Sequence, residues 1–398
     1  MKHIKNMIQK LQKKKIRRPH MLPFKRHSVG GLHTTPQISQ RETAPRAYVR
    51  MAEEGYAQNI IVYRAVSLIA RNLASVPWRL QMGDRPLDDH PLLTLIQDPN
   101  PRQTGVSFLE SLASYLLLAG NSYVEISATP EADALNLYLL RPDRVEVVPE
   151  PTGHHYLYRV GGEERTLKQT PDAPIAPLMH LKMFHPLDDW YGMSALEAAS
   201  SSIHQHNEVG QHNLAILQNG GRPSGALVMR NTQRQAMPEE HLDALRQELH
   251  TLFQGSHNAG RLALLEGDMD WKEMGITPKD LDFVSGKYLS AREIAQAYGV
   301  PAMLVGVPGD ATFANYREAR LHLWEDTILP LLDKIIAEMT RWLCPLYGDN
   351  LSFTYDKESI PALVARRDSL WSRMENCTFL TDEEKREALG YGGKVHNK

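Results

Sequence analysis

Apolar side chains recur at helical spacing over several long stretches of this sequence. In Ile60–Leu73 they fall every three or four residues, which predicts an amphipathic helix. The same spacing predicts helices over Ser194–Gln218, over Pro238–Gln254 and from about Asn315 to Leu343. Pro330 lies inside the last of these and should kink it, because proline cannot donate a backbone hydrogen bond.

Shorter segments rich in β-branched and aromatic residues predict strands between the helices. One such segment is Val76–Met82 and another is Leu351–Tyr355. A cluster of predicted strands occupies Tyr123–Ala128, Leu135–Leu140, Val145–Val148, Tyr156–Val160 and Leu178–Phe184. Thr104 should cap the helix before this cluster and Gly120 should end it. Together these elements indicate an α+β domain over about residues 53–186.

Two segments have the Ser/Thr-x-x-Glu pattern of a capping box at the start of a helix. Ser290–Glu293 predicts a helix that ends near Gly299, and Thr381–Glu384 predicts the second of two C-terminal helices. Gly306–Phe313 is rich in turn-forming residues and predicts a loop. The order is therefore a helix, a loop and a longer helix, which can present the loop to a passing ligand.

Charge divides the chain into a basic arm and an acidic body. Residues 1–50 contain thirteen Lys/Arg, one acid (Glu42) and few bulky apolar residues, which predicts disorder. The remaining residues contain 32 Lys/Arg and 46 Asp/Glu, a net charge of −14. The arm could bind DNA, or bind an acidic scaffold or capsid surface, or be only a solvated tail. Its candidate contact residues are Lys13, Lys14, Lys15, Arg17 and Arg18.

The composition argues against the secreted, membrane and metal-binding classes. Cys344 and Cys377 alone make neither a disulfide framework nor a zinc site. No apolar run approaches the roughly 20 residues of a membrane span. The N-terminus lacks the apolar block of a signal peptide. We therefore expect a cytosolic protein with no membrane partner.

Residues that could support enzymatic chemistry do not form a recognisable site. Gly192-Met193-Ser194 lacks the closing glycine of a nucleophile elbow, and there is no Walker loop. Asp268-x-Asp270 is not by itself the carboxylate cluster that a metal-dependent nuclease needs. His204, His206 and His212 share a predicted helix, but the first two point to different faces, so we interpret them as polar helix positions. We assign no catalytic residue, metal or cofactor and expect no enzymatic activity.

Several segments, in the right order, resemble the portal proteins of tailed DNA phages. VYRAVSLIARNLASVPWRL is similar to the family's opening helix and strand, and HPLLTLIQDPNPRQTGVSFLESLASYLLLAGNSYVEI is similar to its HPL, PNP and LLLxGN signatures. Further similar segments are YGMSALEAA, NGGRPSGAL, NAGRLALLEGDMDW, EIAQAYGVPAMLVG and FLTDEEKREALGY. HNEVGQHNLAILQNGGRPSGAL and VPGDATFANYREA resemble in particular the portals of gene transfer agents, phage-like particles that carry host DNA.

The resemblance implies an α+β portal fold assembled as a ring, usually of twelve subunits, at one vertex of a capsid. After the basic arm (1–50), it divides the chain into a wing domain (51–190), a first stem helix (191–218), a clip (219–281), a second stem helix (282–306), a tunnel loop (307–314), a long kinked wing helix with a strand (315–358) and a small helical crown (359–398).

The resemblance also implies a function and a set of partners. Double-stranded DNA would pass through the ring during packaging and ejection. The clip would dock the large terminase and later the head-tail connector, and the ring would contact the major capsid protein. The subunits would assemble in the bacterial cytoplasm and end at the portal vertex of a virion or gene-transfer-agent particle.

The tunnel loop is the part of the chain that would face the DNA. Its candidate DNA-facing residues are Val307, Pro308, Gly309, Asp310, Thr312 and Phe313. The segment contains no Lys or Arg, and cationic residues that neutralise phosphates would bind the duplex strongly. We expect the loop to touch DNA weakly or sterically and so to permit sliding.

Other interpretations of the same residues remain open. The loop could be an ordinary connector between two helices. The chain could be a nucleic-acid-binding accessory protein that acts through its arm, and a hydrolase is a further alternative that the motifs do not favour. A closed ring would separate the portal from the accessory protein.

Overall fold

The computed structural model describes residues 44–128, 135–151, 153–168, 175–218, 225–229, 243, 269–273, 283–309, 312–348 and 350–388. These residues form two compact units. Unit 1 contains residues 44–50, 70–194 and 330–388, and unit 2 contains residues 51–69 and 195–329. Three of the four boundaries between the units fall inside helices, at Arg50/Met51, Ile69/Ala70 and Leu329/Pro330.

The described α-helices alternate with strands along the chain. They are α1 (Ala44–Met51), α2 (Ile60–Ala74), α3 (Pro91–Gln97), α4 (Gly105–Ala119), α5 (Ala195–Ala198), α6 (Ser200–Gln218), α7 (Phe283–Ala297), α8 (Phe313–His322), α9 (Leu329–Leu343), α10 (Val364–Glu375) and α11 (Asp382–Ala388). Wider π-helical turns occupy Ala52–Ala57 and Leu323–Ile328. Residues 44–50 of the segment predicted to be disordered belong to α1 and are helical.

The described strands are β1 (Trp78–Met82), β2 (Arg85–Leu87), β3 (Asn121–Ala128), β4 (Leu135–Leu140), β5 (Val145–Glu150), β6 (Gly153–Val160), β7 (Glu163–Lys168), β8 (Leu178–Lys182), β9 (Gly225–Met229), β10 (Met269–Glu273) and β11 (Leu351–Tyr355). Unit 1 contains three antiparallel sheets, with strand orders β11-β1-β2, β4-β3-β8 and β5-β6-β7. In unit 2, β9 pairs with β10. The mixture of helices and antiparallel sheets confirms the predicted α+β class.

Local capping signals placed several helix ends correctly. The Thr104 hydroxyl accepts a hydrogen bond from the Ser107 N–H at 3.4 Å, and α4 ends at Gly120, whose φ of 69° suits glycine. The capping box before α11 is also present: the Thr381 N–H donates to Glu384 at 2.8 Å, and the Glu384 N–H donates to the Thr381 hydroxyl at 3.3 Å.

The capping box predicted at Ser290 is wrong. Ser290 lies inside α7, is buried, and donates its hydroxyl proton back to the carbonyls of Gly286 (3.0 Å) and Lys287 (3.1 Å). A serine can satisfy its hydroxyl in this way without interrupting a helix. The sequence signal could not separate the two uses of the same residue.

Unit 1 is built around aromatic and aliphatic side chains of its sheets. The core cluster consists of Tyr123, Leu140, Val145, Val147, Tyr156, Leu167 and Leu178. A second tight contact joins the end of α4 to the loop after β8, where a Cβ on Gly192 would lie 2.1 Å from the Gly120 carbonyl oxygen. Only glycine allows the two backbones to approach this closely.

The described residues of unit 2 are mainly helical, and their helices are joined through buried small and aliphatic residues. α6 packs against α7, and the π-helical turn Ala52–Ala57 packs against α6. A Cβ on Gly55 would lie 2.7 Å from the Leu196 side chain, so the glycine lets that turn approach α5. The buried face of α7 includes Ala291, Ile294 and Ala295.

The long helix expected from Asn315 begins two residues earlier, at Phe313. The predicted disturbance around Pro330 has a counterpart, because the helical hydrogen bonding widens to π over Leu323–Ile328, just before the proline. Proline lacks the N–H that would continue the α pattern at that point.

Some expectations fall outside the described residues, including the arm residues Lys13, Lys14, Lys15, Arg17 and Arg18, the helix over Pro238–Gln254 and most of the predicted clip. Within the part of the chain that is described, no helix has both the length and the apolar character required to cross a bilayer.

Candidate functional site

The candidate site is the segment of unit 2 in which α7 leads through a short loop into α8. α7 ends because Gly299 adopts a φ of +67°. The Gly299 carbonyl accepts a hydrogen bond from the Thr327 hydroxyl at 2.7 Å, which joins the end of α7 to the π-helical turn that follows α8. A 3-10 turn at Ala302–Val305 then contacts both α7 and α8. The segment that leads into the loop is therefore held in place by α7, α8 and the π-helical turn.

The first loop residue is part of the interior and not of the surface. Val307 is only 6% exposed, and its N–H donates to the Ala302 carbonyl at 3.2 Å. Gly306 makes the turn that precedes it, with a φ of 85°. Val307 was predicted to face DNA. In the subunit its side chain is instead buried in the apolar interior, so we correct it to a residue that packs the core.

Arg292 is the polar contact of this loop that sequence reasoning missed. It lies on α7, and its Nη2 donates to the Pro308 carbonyl at 2.9 Å. A Cβ built on Gly309 would lie 3.6 Å from the same nitrogen. The loop itself contains no cation, yet a guanidinium from the preceding helix stands at its base. No local signal could have indicated this contact, because the two residues are sixteen positions apart and Arg292 is otherwise an ordinary exposed helix residue.

The far end of the loop is fixed by a helix cap. Thr312 has extended backbone angles, and its hydroxyl accepts a hydrogen bond from the Asn315 N–H at 3.2 Å. α8 therefore starts at Phe313, so Phe313 and Ala314 are helical and not loop residues as predicted. Pro308, Gly309 and Thr312 are exposed. Asp310 lies outside the described residues, as does the side-chain placement of Phe313.

The histidines of α6 do not form one group. His206 is buried and accepts a hydrogen bond on Nδ1 from Asn59 Nδ2 at 3.2 Å, whereas His204 and His212 are exposed. Burial lowers the pKa of His206, and the positive charge of Lys287 lowers it further. His206 is therefore an interior position of unit 2, in contact with Asn59, and differs in this from His204 and His212. The described residues contain no cluster of three or more His, Cys, Asp or Glu that could hold a metal ion.

Helices α6 and α7 also carry large apolar side chains on the surface of the chain. Val284 and Leu289 on α7 are 64% and 60% exposed, and Tyr288 is 43% exposed. Leu214 on α6 is also exposed. A side-chain bond from the Ser202 hydroxyl to Glu293 at 2.7 Å joins the two helices at another point. A polar contact thus joins the two helices within the unit. Their large apolar side chains named above remain exposed in the single subunit.

The family assignment follows from a match over most of the chain. The sequence model of the phage portal protein family matches residues 60–390. The chain belongs to this family. The arrangement of helices and sheets described above is the portal fold, and the resemblance stated from the motifs is confirmed.

Individual relatives agree with this assignment, and the first of them also agrees with the subtype. A chain in the neck of an empty gene transfer agent particle, a structure computed with C6 symmetry, is 40% identical, with a TM-score of 0.69 over 87% of this chain and 94% of that chain. An uncharacterized protein of Rickettsia bellii is 40% identical over 345 residues, which are 86% of this chain and 89% of the relative. The portal protein of Enterobacteria phage HK97 is 23% identical over 80% of this chain and 76% of its own length.

Proposed function

We propose that the chain is the portal subunit of a gene-transfer-agent or phage particle, where copies of it form a ring around a channel for double-stranded DNA. The observation that carries the proposal is the 40% identity to a chain of a gene-transfer-agent neck, with structural similarity over 87% of this chain and 94% of that chain. Such necks have been computed with sixfold and with twelvefold symmetry, which is compatible with the expected twelve copies. The ring would stand at one vertex of the particle.

The predicted division of the chain becomes part of this proposal. The sheets of unit 1 would form most of the wing, α6 and α7 would be the two stem helices, and β9 with β10 would belong to the clip. α10 and α11 would form the crown. The clip would dock the large terminase and then the head-tail connector, and other surfaces of the ring would contact the major capsid protein. The role is structural, and the packaging motor would supply the energy.

Exposed apolar side chains on the stem helices support assembly into a ring. Large apolar residues on the surface of a single subunit are favourable when a neighbour covers them. The exposed positions on α7 include Val284 and Tyr288, which are one helical turn apart and so lie on the same side. A neighbouring subunit that covers this face would remove it from water in every interface of the ring.

The experiment that tests the ring is imaging of the purified full-length chain, with the Tyr288→Lys variant beside the wild type. Wild-type protein should form closed rings, in the presence of its assembly partners where these are required. Tyr288→Lys should shift the population toward single subunits, because a neighbour that covers this position would have to bury an unpaired charge, and this cost recurs at each interface. The fold should persist because exposed substitutions usually change stability by less than about 0.5 kcal/mol.

A matched control uses Met82 of unit 1, which is 47% exposed and carries no proposed interface role. Met82→Lys should assemble like the wild type. A wild-type chain that remains a monomer or dimer with all partners present, and binds DNA through its arm, would favour the accessory-protein alternative and refute the portal proposal.

The loop between α7 and α8 is proposed to line the narrowest part of the channel. Its lack of Lys and Arg would limit ionic contact with phosphates, and such contacts are what make binding strong and salt-dependent. Of the predicted residues, Pro308, Gly309 and Thr312 are exposed in the subunit. A channel wall formed by neutral or acidic loop residues would centre the duplex sterically and let it slide.

Asp310→Lys tests whether the absence of cations from this loop lets DNA slide past it. In a twelve-membered ring the substitution would add twelve cations in place of twelve acids, so DNA should be packaged more slowly and the slowing should weaken as salt rises. Asp310→Asn separates loss of the acid from gain of the cation and should change packaging little. Normal packaging by Asp310→Lys at low salt would remove this loop from the channel wall.

A further inference from the structure

We propose that Arg292 is a positioning residue that tethers the base of the loop between α7 and α8 and limits how far the loop can extend. This inference rests on the proposed function only for its consequence, because the tether itself is a property of unit 2. Arg292 does not need to touch DNA in this role.

Arg292 holds the start of the loop through a hydrogen bond to the backbone. Its guanidinium nitrogen donates to the Pro308 carbonyl at 2.9 Å, a normal distance for a strong N–H···O hydrogen bond. A charged donor makes this bond stronger than one between two neutral groups. The neighbours Ala291, Ile294 and Ala295 are buried, so the helix that carries the guanidinium is held in place by its packing. The bond therefore links the loop to a fixed element.

The loop is also held on both sides of this bond. Before it, Val307 is buried and its N–H donates to the Ala302 carbonyl. After it, Thr312 caps α8 by accepting the Asn315 N–H. Pro308 and Thr312 are thus two fixed points, and only residues 309–311 lie between them.

The spacing of these fixed points limits how far the loop can extend. Consecutive Cα atoms are about 3.8 Å apart, so four steps from Pro308 to Thr312 give a contour of about 15 Å and an excursion of at most about 8 Å. Without the tether the fixed point retreats to Val307, and the limit rises to about 10 Å. In a ring this extra extension would be available to every subunit. Arg292 would therefore set the maximum intrusion of the loop into the channel.

The test is hydrogen exchange of full-length protein, read by mass spectrometry on a peptide that contains Gly306 and Val307. Both N–H groups donate to carbonyls of the 3-10 turn, Gly306 to Met303 and Val307 to Ala302, so they report opening of the loop base. Arg292→Ala should speed their exchange about threefold, because the lost bond has a charged donor but is exposed to water, which replaces part of it. Exchange across α7 should stay unchanged.

Two further variants decide between a tether and a general loss of charge or packing. Arg292→Lys retains a cationic donor on a shorter side chain and should restore part of the protection. Arg320→Ala removes an exposed cation from α8 and should leave the exchange of Gly306 and Val307 unchanged. Unchanged exchange in Arg292→Ala, or equal acceleration by Arg320→Ala, would overturn the tether. Failure of the wild type to form rings would instead refute the proposed function, and the exchange result would stand on its own.

Discussion

Each unit contains a buried asparagine that binds a histidine, and the two pairs stabilise different kinds of structure. In unit 1, Asn121 accepts hydrogen bonds from the His180 Nε2–H at 2.9 Å and from the Gly192 N–H at 2.7 Å. Its amide group donates to the Ala119 carbonyl at 2.7 Å and to the Gly192 carbonyl at 3.1 Å. One side chain thus joins a strand, a helix end and a distant loop.

In unit 2 the corresponding residue is Asn59. Its carbonyl oxygen accepts hydrogen bonds from the N–H groups of Ile61 (3.0 Å) and Val62 (3.2 Å), at the start of α2. Its amide group donates to His206 and Asn207 on α6. Asn59 therefore caps one helix and attaches a second through side chains.

The comparison indicates how much each unit can relax. Asn121 binds mostly backbone groups at a point where Gly120 and Gly192 leave no space for rearrangement. Two of the partners of Asn59 are side chains, which can turn toward other groups. We infer that unit 1, the proposed wing, is held as a rigid frame, whereas the proposed stem in unit 2 tolerates adjustment.

Asn121→Ala should lower the free energy of unfolding more than any other substitution proposed for either unit. It leaves buried N–H and C=O groups unpaired at Gly192 and Ala119, each of which costs about 1–3 kcal/mol. We expect a loss of about 3 kcal/mol or more in the free energy of unfolding of unit 1, measured by chemical denaturation. Asn59→Ala should cost unit 2 about 1–2 kcal/mol, the typical value of a lost helix cap. Equal losses in the two variants would contradict the contrast between the units.

The next effect is a dependence of stability on pH through His180. Burial lowers the pKa of His180 to about 3, with smaller contributions from Lys182 and His154. Because the unfolded histidine has a pKa of about 6.5, the unfolded state binds more protons between the two values. Stability is unaffected by this group above pH 6.5 and declines as pH falls toward 3. At pH 5 the loss should be about 2 kcal/mol relative to pH 7.

A pair of variants checks that His180 is the cause. His180→Phe retains a ring beside Tyr123, on which the imidazole stacks at 4.3 Å, but cannot titrate. Its loss of stability between pH 7 and pH 5 should be smaller by about 2 kcal/mol than that of the wild type. His204→Gln, at an exposed position of α6, should keep the wild-type dependence. An unchanged pH dependence in His180→Phe would show that other groups control it.

Features with local signals could be predicted from the sequence, and features that depend on distant residues could not. The cap at Thr104, the helix end at Gly120 and the capping box at Thr381–Glu384 are set by neighbours within four residues and were predicted correctly. β7 was missed because its sequence, EERTLK, has almost no apolar alternation and is paired by β6. The capping box at Ser290 failed because the same residue can bond back inside a helix.

In the candidate site, too, features set by local sequence could be predicted and features set by distant residues could not. The loop between α7 and α8 could be placed from Gly306 and Pro308, and the order of motifs was enough to indicate the family. Burial of Val307 and the bond from Arg292 to Pro308 arise from packing among segments of unit 2 and have no counterpart in local sequence. Long-range contacts of this kind require the folded chain.

The smallest effect is that of replacing a tyrosine by phenylalanine. This substitution should change the free energy of unfolding in opposite directions in the two units. Tyr298 in unit 2 is buried, and among the described residues its hydroxyl has no hydrogen-bond partner. Tyr298→Phe should therefore raise the free energy of unfolding by about 1 kcal/mol. In unit 1 the Tyr191 hydroxyl accepts the Val147 N–H at 2.8 Å, so Tyr191→Phe should lower it by about 1 kcal/mol. Paired denaturation curves measure both, and destabilisation by Tyr298→Phe would mean that the hydroxyl has a partner in the assembled ring or in bound water.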